Sequence, residues 1–434
     1  MPPVVPEFLR TLLDRPVAVF GGGVSGDGVC ELVRAVGGSA MVYDRKGGAA
    51  QADFTATDAA RHALVVFSPG FAVEHPWLAA ARTAGCTCLG ELDFAAQFWP
   101  GRILAITGTN GKTTLTEFLT HALQAAGRTA VAVGNVGYSF SRAVLDSPTA
   151  ESIAVCEVSS FQAETFRHFR ADTTLWTNLD EDHLERHSGM GAYFDAKYRL
   201  VLSTPSGRFW VGSSVSTWAQ RLGRALPASA CVATLGLPVD SRLTGTVFET
   251  YPQRENFVLA ETWWRARGLD TAVLLAAART FQLGRHRLAR VAEIGGVGYW
   301  NDSKATNFHA VNGALLRFER PVLLIAGGRA KGGDIRAFAA SLAGRVAHLL
   351  LIGETTEELA AGAEPAGVPC HRCATLEDAV ALASRLAKPG DQVLLSPAFA
   401  SFDMFRSYGD RGDHFEAAVL RHRLTFHNPQ HFPS

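Results

Sequence analysis

Apolar residues fall along this chain in short continuous runs, and between the runs the hydrophobic spacing turns helical. Val17-Ala18-Val19-Phe20 is the first run and reads as a buried strand. It leads into Gly21-Gly22-Gly23-Val24-Ser25-Gly26, a helix-like stretch, and a second strand, Ala40 to Tyr43, that ends at Asp44. A strand, a glycine turn, a helix and a strand closed by an acid make a nucleotide-binding pattern. Val65-Val66-Phe67, followed by Ser68-Pro69-Gly70, predicts a further strand ending in a turn. Pro and Gly in Phe98-Trp99-Pro100-Gly101 then punctuate the end of the first unit.

The second unit opens with the strand Ile103-Leu104-Ala105-Ile106-Thr107, and a helix from Thr113 to about Ala126 should stop at Gly127. Strands are expected over 130–133, 153–157 and 174–177, and short strands and loops over 204–252, where Gly, Ser, Thr and Pro are frequent. A third unit begins near Gly284, with strands at 322–326, 348–352 and 392–395 and helical patterns between them. This alternation implies parallel sheets covered by helices. The expected fold class is therefore α/β in three domains: a Rossmann-like 1–98, a P-loop ATPase-like 99–283 and a Rossmann-like 284–434.

Composition narrows the function classes. The 434 residues exceed what one ordinary core accommodates. Forty-one basic residues balance forty-one acidic ones, so no net field favours nucleic acid or anionic lipid. No apolar run is long enough to span a bilayer, and the N-terminus lacks the plan of a signal peptide, so a cytoplasmic protein without membrane insertion is expected. Seven scattered cysteines argue against a disulfide framework, and Cys370 and Cys373, although a CxxC pair, lack a second ligand pair for zinc.

Candidate chemistry centres on Gly108-Thr109-Asn110-Gly111-Lys112-Thr113-Thr114. Backbone N–H groups of such a turn, with a helix N-terminus, cradle phosphate oxygens; the lysine reaches the β- and γ-phosphates and the first threonine ligates Mg²⁺. Ile106 stands where the usual first glycine would be, but the strand–loop–helix context is right. Glu157 ends the apolar strand Ile153–Cys156, where a carboxylate is placed to hold a second Mg²⁺. Taken singly, His183 in Thr177-Asn178-Leu179-Asp180-Glu181-Asp182-His183 reads as a surface histidine, and Lys197 in Tyr193-Phe194-Asp195-Ala196-Lys197 as a solvated helix lysine.

In this order and spacing, the combination resembles the Mur ligases, which build the peptide of the bacterial cell-wall precursor, over nearly the whole chain. Gly108–Thr114 looks like their ATP loop, Asn135-Val136-Gly137 like their GNxG segment and 178–183 like their NxxxDH segment. Ser159-Ser160-Phe161-Gln162, the run Asn301-Asp302-Ser303-Lys304-Ala305-Thr306-Asn307, and Leu395-Ser396-Pro397-Ala398 followed by Ala400-Ser401-Phe402-Asp403 resemble the branch that adds D-glutamate.

The resemblance implies an ATP-dependent amide ligase that acts through an acyl phosphate, with two Mg²⁺ ions. Lys112, Glu157, His183 and Lys197 would be catalytic; Thr113, Glu157, His183 and Lys197 would hold the metals, Lys197 as a carbamate. ATP would meet Gly108–Thr114, Asn256, Arg287 (with His286), Asp302 and Lys304. The implied acceptor, UDP-N-acetylmuramoyl-L-alanine, would bind at Val24, Ser25, Asp44, Arg45, Lys46 and Gly70, with Asn135, Ser159 and Gln162 at its other end. Glutamate would meet Thr306, Lys331, Ser401, Phe402 and Tyr408, domain closure would assemble the site, and a monomer is expected.

Phe402 and Tyr408 stand where leucine and phenylalanine are common in the family, and Leu283–Ala289 departs from the usual glycine-leucine-proline-histidine-arginine run. Addition of L-glutamate and a folylpolyglutamate-type ligation are the alternatives within this chemistry. A catalytically dead UDP-sugar binder and an NAD-dependent oxidoreductase are those outside it.

Overall fold

The computed structural model describes residues 3–45, 50–136, 138–184 and 186–427. Three sheets form, distributed over two compact units.

The first unit comprises residues 1–179, 191–238 and 255–281. It holds two parallel sheets. In one, β1 (Val17–Phe20), β2 (Ala40–Tyr43), β3 (Leu64–Phe67) and β4 (Thr87–Gly90) take the order β2-β1-β3-β4. In the other, β5 (Arg102–Thr107), β6 (Ala130–Gly134), β7 (Ile153–Glu157), β8 (Thr173–Trp176) and β9 (Phe209–Val211) take the order β6-β7-β5-β8-β9. The apolar runs are strands because both sheet faces are covered: β1, β3 and β8 are buried at every position.

One core joins the two sheets. Val17, Val19, Leu64 and Val66 pack in the same cluster as Ile103, Ala105, Ala154 and Cys156. Buried Glu91 adds a polar tie: its Oε1 accepts from Ser139 Oγ at 3.0 Å, Ser141 N at 2.9 Å and Ser141 Oγ at 2.8 Å. Burial nevertheless raises its pKa above the ordinary carboxylate value.

The second unit comprises residues 180–190, 239–254 and 282–434. Residues 180–190 and 239–254, internal to the middle stretch of the sequence, pack with the C-terminal sheet. That sheet contains β10 (Ala289–Ile294), β11 (Val297–Asn301), β12 (Val322–Ala326), β13 (Val346–Leu351), β14 (Cys370–Arg372) and β15 (Gln392–Leu395), in the order β10-β11-β15-β12-β13-β14.

The expectation of a wholly parallel third sheet is corrected here, because β10 and β11 are antiparallel. Gly295 and Gly296, at φ 58° and 78°, form the two-residue link between them. Two consecutive glycines with positive φ are a tight hairpin signal, and it is visible in the sequence. A helix, Ser213–Arg221, also forms within 204–252, where strands and loops were expected. All seven cysteines are free, and Cys370 and Cys373 point their thiols at the carbonyls of Val368 and His371.

Candidate active site

The phosphate loop follows β5, the middle strand of its sheet, and the helix Lys112–Ala125 begins directly after it. Two glycines are required by geometry. Gly108 has φ +152°, and a Cβ there would lie 1.8 Å from Thr177 Oγ1. Gly111 has φ +80°, and a Cβ would lie 2.4 Å from Asn256 Oδ1. Asn256, in the helix Gln253–Ala266, is buried and packs directly on the loop.

The end of β8 braces the loop. Thr109 N donates to Asn178 O at 3.0 Å, Asn110 N to Asn178 Oδ1 at 2.8 Å, and Thr177 Oγ1 to Asn110 O at 2.6 Å. Sequence reasoning gave Thr177 and Asn178 no part in the nucleotide site. Their bracing role depends on β8 lying beside β5, which a linear pattern does not display.

Two lysines converge on one oxygen of this loop. Lys112 Nζ donates to Gly108 O at 2.9 Å and Thr109 O at 2.8 Å; Lys197 Nζ donates to Gly108 O at 2.8 Å. Lys197 is only 1% exposed, so it is not the solvated helix lysine that its position alone suggests. Its ammonium lies 4.6 Å from the ring centroid of Tyr193, one helical turn earlier, and the Tyr193 hydroxyl is 3.3 Å from Thr109 Oγ1.

Glu157 ends β7 beside β5 and is 2% exposed. Its Oε1 accepts from Asn135 Nδ2 at 2.9 Å, while its Oε2 is buried without a hydrogen-bond partner. A buried carboxylate oxygen in that condition is costly unless a cation satisfies it, so the donor set fits a hard metal ion. Thr113, in the first turn of the following helix, is buried as well.

The other candidates in the first unit divide into surface groups and braces. Val24 is exposed at the N-terminus of the helix Val24–Ala35, Ser25 is half-buried, and Arg45 and Gly70 are exposed. Asp44 Oδ2 accepts from Gly22 N at 2.7 Å and so holds the glycine turn itself. Lys46 lies outside the described residues. Ser159 and Gln162 form a capping box on the helix Ser160–Ala163, with Ser159 N and Oγ both 2.9 Å from Gln162 Oε1. Their polar groups are thereby engaged with each other.

In the second unit, Asp182 gathers the amino-acid candidates. Its Oδ2 accepts from Asn307 Nδ2 at 2.9 Å, and its Oδ1 lies 3.5 Å from Lys331 Nζ, which is also 3.4 Å from Thr306 Oγ1. These residues, with Phe308, Phe399 and Gly332, line one pocket. His183 has φ +57°, and its Nε2 is 3.7 Å from Asp182 Oδ2.

The remaining candidates of this unit lie apart from that pocket's lining. Ser401 is buried, while Phe402 is 64% exposed and lines a separate depression with Met404 and His414. Tyr408 lies under Lys304, whose Nζ is 3.9 Å from the ring centroid. Asp302 is buried between Leu288 N (3.0 Å) and Ser396 Oγ (2.9 Å), and burial pushes its pKa up to about 7 despite the charge of half-buried Arg287. His286 turns inward, its Nδ1 2.8 Å from Asn301 Nδ2, and is only 4% exposed. Its Nε2 and Nδ1 also lie 3.3 Å from carboxylate oxygens of Asp413 and Glu416, on the helix Tyr408–His427.

A braced phosphate loop on a parallel α/β sheet, with a buried carboxylate and two lysines around it, defines a nucleotide-dependent enzyme. Comparison with known proteins makes the class specific. Residues 106–273 match the Mur ligase middle domain, and residues 286–399 match the Mur ligase glutamate ligase domain. A UDP-N-acetylmuramoylalanine–D-glutamate ligase of Nitratidesulfovibrio vulgaris (strain DP4) is 37% identical over 92% of this chain and 95% of its own length. One of the same name from Caldanaerobacter subterraneus subsp. tengcongensis is 32% identical over 94% and 99%. Among solved structures, UDP-N-acetylmuramate-alanine ligase MurC of Thermotoga maritima shares the fold, with a TM-score of 0.58 at 14% identity over 95% of this chain and 100% of that one. The chain belongs to the Mur ligase family, and it is an ATP-dependent ligase.

Proposed function

We propose that this chain joins D-glutamate to UDP-N-acetylmuramoyl-L-alanine with conversion of ATP to ADP and phosphate, in cytoplasmic synthesis of the peptidoglycan precursor. The reading is carried by the phosphate loop with Lys112, Lys197 and Glu157 gathered around it, in a chain 37% identical to a ligase named for that reaction.

A carboxylate does not acylate an amine, because its oxygen will not leave. Transfer of the γ-phosphoryl group to the alanyl carboxylate releases ADP and gives an acyl phosphate. The glutamate amine attacks its carbonyl carbon, a C–N bond forms, the C–O bond breaks, inorganic phosphate departs and the amine loses its proton. Both reactants of the first step are anions, so fixed positive charge is needed to bring them together. Lys112 and the loop backbone supply part of it. Magnesium, when bound, neutralises phosphate charge; Thr113 would hold one ion, and Glu157 a second together with Lys197 as a carbamate. The ligand role of His183 rests on the sequence resemblance.

Asn256, on the loop, and Arg287, Asp302 and Lys304, in the second unit, are proposed nucleotide contacts. The glycine turn 21–26, with Asp44, Arg45, Lys46 and Gly70, is the proposed UDP site, and Asn135, Ser159 and Gln162 serve the other end of that substrate. The proposed domains are 1–98 for UDP, 99–283 for ATP and 284–434 for the amino acid. Lys331 pairs with a glutamate carboxylate; Thr306, Ser401, Phe402 and Tyr408 complete the amino-acid set, and the enzyme acts as a monomer.

The test is ATP-dependent phosphate release with UDP-N-acetylmuramoyl-L-alanine and D-glutamate, then L-glutamate. Release with D-glutamate that Lys112→Ala abolishes supports the reading; release with L-glutamate alone, or with neither, overturns it.

A further inference from the structure

At the amino ends of the strands in the phosphate-loop sheet, the first unit contains a cavity of about 520 Å³. It opens beside the first residues of β5, β7 and β8, whereas the phosphate loop follows the carboxyl end of β5. β5 carries Arg102 at one end and Thr107 at the other, a separation of about 17 Å at strand rise. The cavity is therefore distinct from the nucleotide site. Its volume is that of a small-molecule site.

The walls combine two kinds of surface. One is apolar and includes Ile103, Leu123, Trp263 and Leu269. Trp263 is 4% exposed, and its indole Nε1 is buried without a hydrogen-bond partner. The other is lined by Arg102 and Arg128, both exposed, and by half-buried Arg267.

Among the described residues, these three arginines form no ion pair and no side-chain hydrogen bond. Two carboxylates share the lining: Asp172, whose Oδ2 accepts from Ile103 N at 2.8 Å and whose charge acts on Arg267, and Glu151, which forms no ion pair with the arginines among the described residues. Burial first, and then repulsion from Arg102 and Arg208, lowers the pKa of Arg267, with attraction by Asp172 opposing them. Three arginines against two carboxylates leave an excess of positive charge on the cavity, which an anionic ligand would offset. Guanidinium groups fit phosphate oxygens in bidentate geometry, and the apolar wall with Trp263 fits a flat ring.

We propose that this cavity is a binding site for a small organic phosphate, a ring bearing a phosphoryl group. The three arginines hold the phosphoryl oxygens, and the ring lies against the Trp263 wall. Sequence reasoning had no means of finding it, because Arg102, Arg128 and Arg267 are far apart in the chain and belong to no motif.

The experiment is calorimetric titration of the Lys112→Ala chain with 2-naphthyl phosphate, a background that disables the phosphate loop. One-site binding is expected, weakened at least tenfold in the added double variant Arg128→Ala/Arg267→Ala and at least tenfold by Arg128→Glu alone. Arg128 is exposed, so its substitution leaves the fold intact. The neutral probe 2-naphthol should bind at least tenfold more weakly. Absence of binding in the Lys112→Ala chain, or less than tenfold weakening in both arginine variants, would overturn the proposal. No ligase activity is read, so failure here and failure of the proposed reaction are distinguishable.

Discussion

The ammonium of Lys197 lies 2.8 Å from the carbonyl oxygen of Gly108, the same oxygen that the Lys112 ammonium contacts at 2.9 Å. A buried helix lysine is thereby held on the phosphate loop, and conversion to a carbamate would exchange its positive charge for a negative one there. Lys197→Ala should lower phosphate release by about 10–100-fold, the usual loss when a metal-site group is removed. Activity of the parent chain should rise with added bicarbonate near pH 6, and the variant should not respond. An unchanged rate in Lys197→Ala would remove the residue from the site.

Gly111→Ala combines a left-handed backbone with a Cβ 2.4 Å from Asn256 Oδ1. The backbone strain alone costs about 1–3 kcal/mol, so a lower thermal midpoint and weaker ADP binding are expected. Adding Asn256→Ala relieves the collision and not the strain. A thermal midpoint in the double variant equal to that of Asn256→Ala alone would show that the contact, not φ, decides.

Lys331, held beside Asp182 and Thr306, is the one lysine lining that pocket among the described residues. A charge-assisted hydrogen bond contributes about 1.5–3 kcal/mol, so Lys331→Ala should raise KM for glutamate about 10–100-fold. KM for ATP should stay within about twofold of the parent value if the lysine serves the amino acid alone. Equal rises in both would assign it a general structural role.

Ser159 and Gln162 cap a short helix through each other's side chains. Gln162→Ala should therefore destabilise the protein by about 1 kcal/mol, the usual worth of a cap, which denaturant unfolding would read. A large rise in KM for the UDP substrate at unchanged stability would instead support the binding role.

Burial raises the Asp302 pKa to about 7 from an ordinary 3.8. The folded chain thus keeps a proton that the unfolded chain releases near pH 4. Stability supplied by the neutral form is complete below the unfolded pKa and falls as pH rises toward about 7, where the folded group also ionises. Asp302→Asn, which keeps the shape and cannot ionise, should flatten the stability profile between about pH 4 and 7. Parallel profiles in parent and variant would exclude Asp302 as the source.

Much of the fold was determined locally. The apolar runs at 17–20, 103–107 and 322–326 satisfy both their side chains and their backbone as strands inside covered sheets. The loop Gly108–Thr114 is likewise a local device, since positive-φ glycines and a helix N-terminus come from neighbouring residues. The Gly295-Gly296 hairpin was equally local, although the strand–helix alternation masked it.

Tertiary structure decided what distant residues do to one another. Lys197 and Asp44 illustrate this: one reads as solvated and is buried on the loop, the other reads as a ligand group and holds the glycine turn. Only the order of the strands set Asn178 against Asn110, left one Glu157 oxygen without a donor, and collected three arginines around a cavity at the opposite end of the same sheet. Backbone conformation follows from local sterics and the periodicity of burial, so the sequence displays it. Desolvation and charge pairing depend on neighbours brought close only by folding, so the sequence does not.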